Sequence, residues 1–150
     1  MRWMIVLLAA CGSSEPSSEQ QFLGTWSFAS GSDNIVCPGG TTAQALSGNI
    51  TVQSQSGGGL VVMDAAGCNF AYTLSGEQAS LGSDKSCSFA VPQLGQSATA
   101  AVTYDAITLA THDGKSMSDV FNGRVRYTTS AGTQDCAFSG SATLSKVSGP

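Results

Sequence analysis

The stretch from Leu60 to Leu81 reads LVVMDAAGCNFAYTLSGEQASL. It holds three short runs, Leu60 to Asp64, Asn69 to Leu74 and Ala79 to Leu81, separated by Gly67 and by the Ser75, Gly76, Glu77 break. In the middle run Phe70, Tyr72 and Leu74 alternate with Asn69, Ala71 and Thr73, which puts the apolar set on one face of a strand and leaves the other face to water. Both breaks carry glycine, which takes the positive φ that tight connections need, so neighbouring runs fold back on each other as antiparallel hairpins.

The same alternation of run and break extends outward in both directions. Strands are expected at Phe22 to Ser30, Leu46 to Ser54, Ser86 to Val91, Ala98 to Tyr104, Ile107 to Thr111, Met117 to Tyr127 and Asp135 to Leu144, and no strand between 31 and 45. Gly57 to Gly59, Asp113 with Gly114, and Gly132 supply further turns. Asn122 with Gly123 is either a type I′ turn splitting one run or a bulge bending a continuous strand. No window shows the 3.6-residue period of a helix.

Eight to ten short strands joined by short hairpins predict an all-β chain, a small antiparallel up-and-down barrel, with a two-sheet sandwich as the alternative. Closure removes the open edges that a flat sheet would leave. The runs lack the continuous apolar outer band of a membrane-spanning barrel, whose strands need about 10 residues.

Composition agrees. Charged residues make up 11% of the 150-residue chain and hydrophobic ones 41%, so the long Glu/Lys faces of helical enzymes are missing while enough apolar surface remains for a core. Ten Asp/Glu against six Lys/Arg give a net charge of −4, and no basic cluster stands out, which excludes nucleic acid as a partner.

At the N terminus, Met1 to Ala10 places Arg2 before an apolar run from Trp3 to Leu8, then two small residues, Ala9 and Ala10, directly before Cys11. A charge, an apolar run and a small-residue cleavage site are the parts of an export signal, here short of the usual ~15 to 30 residues. Gly12 to Gln21, GSSEPSSEQQ, is polar and buries nothing, so 11–21 is expected to be a flexible tether and 22–150 the folded domain. No run approaches the ~20 apolar residues of a membrane-spanning helix.

Leu8, Ala9, Ala10 and Cys11 resemble the lipobox of bacterial lipoproteins. The resemblance implies cleavage before Cys11, acylation of that cysteine, and anchoring by two or three acyl chains where one would be marginal. Gly12 after it, rather than an acidic residue, favours the outer membrane.

Four further cysteines, Cys37, Cys68, Cys87 and Cys136, make an even set in an exported chain, which predicts two disulfides. Three pairings are open. Cys68 with Cys87 is preferred, since a hairpin at Ser75 to Glu77 brings their neighbourhoods together, leaving Cys37 with Cys136. There is no CxxC pair, and the lone His112 completes no zinc set, so neither metal nor cofactor is expected.

Gly24, Thr25 and Trp26 open the domain with a Gly-x-Trp on the first strand and resemble the lipocalin and calycin barrels. The resemblance implies a tryptophan closing the narrow end against a late Arg or Lys, a part open to Arg124 or Arg126, and a small apolar ligand inside the barrel. A similar opening strand occurs in small periplasmic protease inhibitors of comparable size, which act through an extended N-terminal segment.

Catalytic signatures are missing: there is no GxSxG elbow, P-loop, EF-hand series or HExxH. His112 beside Asp113 and Gly114 is read as a solvated turn residue, and Asp64, Asp105, Asp113 and Asp119 as carboxylates that only the fold could assemble. The expectation is a lipid-anchored, non-enzymatic interaction module, with a carrier of a small apolar ligand or a protease inhibitor as alternatives.

Overall fold

The structure, a computed structural model, describes residues 17–64, 66–94 and 97–149. The signal segment, the lipobox with Cys11, and residues 12–16 of the expected tether lie outside them. The chain runs α1 (Ser18–Phe22), β1 (Gly24–Cys37), β2 (Gly40–Ala45), β3 (Asn49–Ser54), β4 (Leu60–Met63), β5 (Asn69–Ser75), β6 (Gln78–Leu81), β7 (Lys85–Ala90), a 3-10 turn (Pro92–Leu94), β8 (Thr99–Ala110), β9 (Ser116–Thr129) and β10 (Gly132–Ser148).

All ten strands form one antiparallel sheet; nine follow the order β10-β9-β8-β6-β5-β4-β3-β1-β2, and β7 pairs with β8 off that path. β1 also pairs with β10, and this closes eight strands into a barrel. The remaining two are additions: β2 pairs with the second half of β1, and β7 with the first half of β8. Long strands β1, β8, β9 and β10 therefore run past the short wall of β3 to β6. One end of the barrel is complete; at the other, β7-β8-β9-β10-β1-β2 continues as a curved sheet with two outer edges.

The complete end is sealed by the first residues described. Ser17 caps α1, its Oγ accepting from the Gln20 amide at 3.4 Å, and Phe22 at the end of the helix is fully buried. Residues 18–21, expected in the tether, thus belong to the folded domain. A five-residue helix is too short to show a periodic pattern and is held by the burial of one aromatic rather than by propensity.

Inward positions alternate as the sequence expects. Ile50, Val52, Leu60, Val62, Phe70, Tyr72, Leu109, Met117 and Leu144 pack with Phe22 and Trp26 into the main core. A second, smaller cluster of Ala100, Val125, Cys136 and Phe138 fills the curved sheet at the open end.

Several boundaries differ from expectation, and one open alternative is decided. β2 was not expected: GTTAQA has no apolar alternation, and all six of its residues are exposed. The two runs expected at Ala98 to Tyr104 and Ile107 to Thr111 are one strand, β8, whose register with β9 shifts between Tyr104 and Ala106 so that Asp105 bulges. Asn122 and Gly123 are continuous strand, not a turn: Asn122 pairs with Ala106 and Ser139, and the bulge sits on the neighbouring strand.

Candidate functional site

The disulfides are Cys37 with Cys136 and Cys68 with Cys87, the preferred pairing. Cys37 and Cys136 join neighbouring strands β1 and β10 at the open end, 99 residues apart in sequence. Cys68, at the end of the β4–β5 connection, ties the short wall to β7, 19 residues on.

Trp26 lies fully buried near the sealed end, its Nε1 donating to the Phe22 carbonyl at 2.7 Å. The cation over its ring is Lys146 of β10, 5.2 Å from the centroid, and not Arg124 or Arg126. Those two arginines point outward from β9. Arg124 donates to Asp105 at 3.0 Å and lies 3.4 Å from Asp84; Arg126 pairs with Asp135 through two hydrogen bonds, of 2.6 and 3.0 Å. Strand parity explains the correction: Val125 faces the core, so both its neighbours face water.

His112 is exposed and pairs with Glu77 at the sealed end. The four carboxylates left to the fold separate. Asp113 accepts from the amides of Lys115 and Ser116 and closes the β8–β9 turn, which holds its carboxyl below the usual range. Asp105 is the exterior partner of Arg124. Asp64 lies at the barrel mouth, Asp119 is buried beside the core, and both, with Asp33, act electrostatically on Tyr104.

This mouth follows from the topology. β4 ends at Met63 and β6 at Leu81, whereas β1, β8, β9 and β10 continue, so the short wall stops below the level of its neighbours. Asp64 sits on the rim of that wall, its Oδ1 accepting from the amides of Ala66 and Cys68 at 2.9 and 2.8 Å. Asp33 faces inward from β1, held by Gln44 of β2, whose Nε2 donates to its Oδ2 at 3.1 Å. Asp119 faces inward from β9 between Met117 and Phe121, and across the strands it lies beside Leu109 and Ala142.

Asp33 and Asp119 are each only 8% exposed, and the Oδ1 of each lacks a hydrogen-bond partner. Burial among apolar neighbours pushes the Asp119 carboxyl up to about 7. Tyr104 of β8 packs against both apolar clusters. Its ring makes edge-on contacts with Phe70 and Phe138, both at 5.4 Å between centroids. Burial raises its hydroxyl above the usual range, and Asp64, Asp119 and Asp33 all lie close enough to raise it further. Tyr72, on β5, is raised by burial and then by Asp119.

Part of this was readable. Asp119 interrupts the alternation of Met117 and Phe121 with a carboxylate on the inward face. Asp33 gave no such signal, because a register shift between Phe28 and Ser30 resets the parity of β1, and only past it do Gly31, Asp33, Ile35 and Cys37 turn inward.

Two shallow grooves lie elsewhere, one along Gln55, Gly58, Gly59 and Thr73, the other along Thr103, Arg124, Arg126 and Asp135.

No family model matches the chain, and no curated protein does. Among solved structures it is similar to the crystal structure of a protein of unknown function from the DUF3598 family of Nostoc punctiforme PCC 73102, at 12% identity and a TM-score of 0.39. The match covers 90% of this chain and 53% of that one, so this chain spans about half the length of its neighbour.

Proposed function

We propose that this chain is an exported lipoprotein whose barrel is displayed on an acylated Cys11 as a non-enzymatic interaction module, facing the periplasm or the surface from the outer membrane. The observation that carries the proposal is a pair of disulfides on a barrel already filled with its own side chains. Disulfides persist in oxidising compartments, which places the folded domain outside the cytoplasm.

The filled interior favours the module over a carrier. Trp26, Leu60, Leu109, Met117 and Leu144 are buried to 2% exposure or less and occupy the space an apolar ligand would need. An inhibitor working through an extended N-terminal segment fits less well, since Ser18 to Phe22 is helical and docked. Leu8 to Cys11 supports the acyl anchor, and Gly12 the outer membrane.

Intact mass of the membrane-fraction protein tests this, before and after reduction and thiol alkylation. The expected result is loss of Met1 to Ala10, added acyl mass, and four thiols that alkylate only after reduction. Retention of Met1 to Ala10 with free thiols would overturn the proposal. Solvent extraction of the purified protein should release no stoichiometric apolar ligand, and exported proteases should keep full activity in its presence.

A further inference from the structure

We infer that β2 is a self-pairing edge, through which two copies of this chain join antiparallel about a two-fold axis at Ala43. The inference is independent of how the chain is anchored.

The first ground is an open hydrogen-bonding edge. β2 ends the sheet order, and all six of its residues, Gly40 to Ala45, are exposed, so no other described part of the chain covers it. The Leu46 amide donates to the Gly31 carbonyl at 3.1 Å, which sets the phase of the ladder. By antiparallel alternation Thr42 and Gln44 turn their backbone groups toward Ile35 and Asp33 of β1, while Thr41, Ala43 and Ala45 turn theirs away from the sheet. The amides and carbonyls of those three residues form a row that only another extended strand can match.

The second ground is that nothing guards this edge. Sheet edges are ordinarily protected from pairing by a charge, a proline or a bulge. From Asn34 to Met63 the chain carries no Asp, Glu, Lys, Arg or His, β2 contains no proline, and its register with β1 has no shift. The other outer edge, β7, is protected: Lys85 lies in the strand, Asp84 precedes it, and Pro92 opens the turn behind it.

These features select a second copy as the occupant. With the axis at Ala43, that residue faces its own copy and Thr41 faces Ala45, so every outward donor meets an acceptor and two bonds form at each facing pair. Thr41, Ala43 and Ala45 share the outer face with Ser32, Asn34 and Val36, and all are uncharged, so no like charges oppose each other across the axis. One contact removes the unguarded edge from both copies, and the guarded β7 edges stop growth at the dimer.

The test is sedimentation equilibrium of the oxidised full chain from about 10 μM to about 1 mM, the range suited to an interface this small. Ala43→Asp, Ala43→Lys and their equimolar mixture are run beside it. The expected result is a reversible dimer of the native chain, weakened at least tenfold by either charge, since like charges then face each other across the axis. The mixture, in which Asp faces Lys, should recover the dimer, and Ser88→Lys on β7 should leave it unchanged. Position 43 is exposed, so the fold should tolerate both charges; circular dichroism checks this, and Ala43→Glu or Ala43→Arg replaces a variant that fails. A monomer throughout, a dimer indifferent to either charge, or a mixture no tighter than its parts would each overturn the inference.

Discussion

Phe138 of β10 lies across Gly123 of β9: the two are paired in register, and the ring's Cζ stands 2.7 Å from where a β-carbon on Gly123 would be. Two residues along, the relationship is reversed, with Phe121 of β9 lying over Gly140 of β10. Each aromatic ring fills the space its partner's missing side chain leaves, so the β9–β10 ribbon packs two rings inside the barrel where two full cross-strand pairs would collide.

Gly123→Ala is therefore expected to destabilise for steric reasons. An added methyl would meet the Thr103 carbonyl oxygen at 2.3 Å as well as the Phe138 ring, and backbone cannot give way cheaply. Overpacking of this kind costs ~1 to 3 kcal/mol, and each kcal/mol lowers the melting temperature by roughly 2 to 4 °C in a domain of this size. Thermal unfolding by circular dichroism checks it against Gly39→Ala, where nothing stands within 4 Å and the change should stay within about 0.5 kcal/mol.

Trp26→Phe should unlatch the sealed end. The smaller ring keeps most of the burial but leaves the Phe22 carbonyl without its 2.7 Å donor. An unsatisfied buried acceptor costs ~1 to 3 kcal/mol, seen as a lower urea midpoint with little change in slope. An unaltered midpoint would mean that water replaces the indole at no cost.

The two disulfides should contribute unequally. Crosslinks constrain the unfolded chain more when they close longer loops, by ~3 kcal/mol for a loop of about 15 residues and ~4.7 for about 100. With separations of 99 and 19, the Cys37→Ala, Cys136→Ala double variant should lose more stability than Cys68→Ala, Cys87→Ala. Denaturant midpoints of the two double variants decide the order.

Asp119 should make the protein less stable as pH rises. Its carboxyl titrates near 7 in the folded chain because burial disfavours the charge, against an unfolded value near 3.9. Between those pH values the folded state holds a proton the unfolded state has released, so stability is fullest below about pH 4 and falls until about pH 7, by an amount on the order of 4 kcal/mol. Exposed Asp113 and Asp135, held low by their hydrogen bonds, act in the opposite sense at acid pH. Asp119→Asn should flatten the difference: unfolding free energies of the two proteins measured from pH 4 to 8 should diverge upward in favour of the variant, and parallel curves would contradict the burial of a chargeable group.

By itself the sequence determined the strand-and-turn grammar, the even set of four cysteines from Cys37 to Cys136, and Trp26 as the opening aromatic of a barrel. These are local properties: a period of two, a glycine at a break, a residue type that oxidises in pairs. Whether Cys68 reaches Cys87, whether Lys146 rather than an arginine covers Trp26, and whether Asp33 faces in or out were decided only by tertiary structure. Each depends on register, and one extra residue at the bulges of β1 and β8 resets the parity of everything beyond it. β2 shows the same dependence, since an exposed, uncharged segment becomes a strand only because the far half of β1 offers it a free edge.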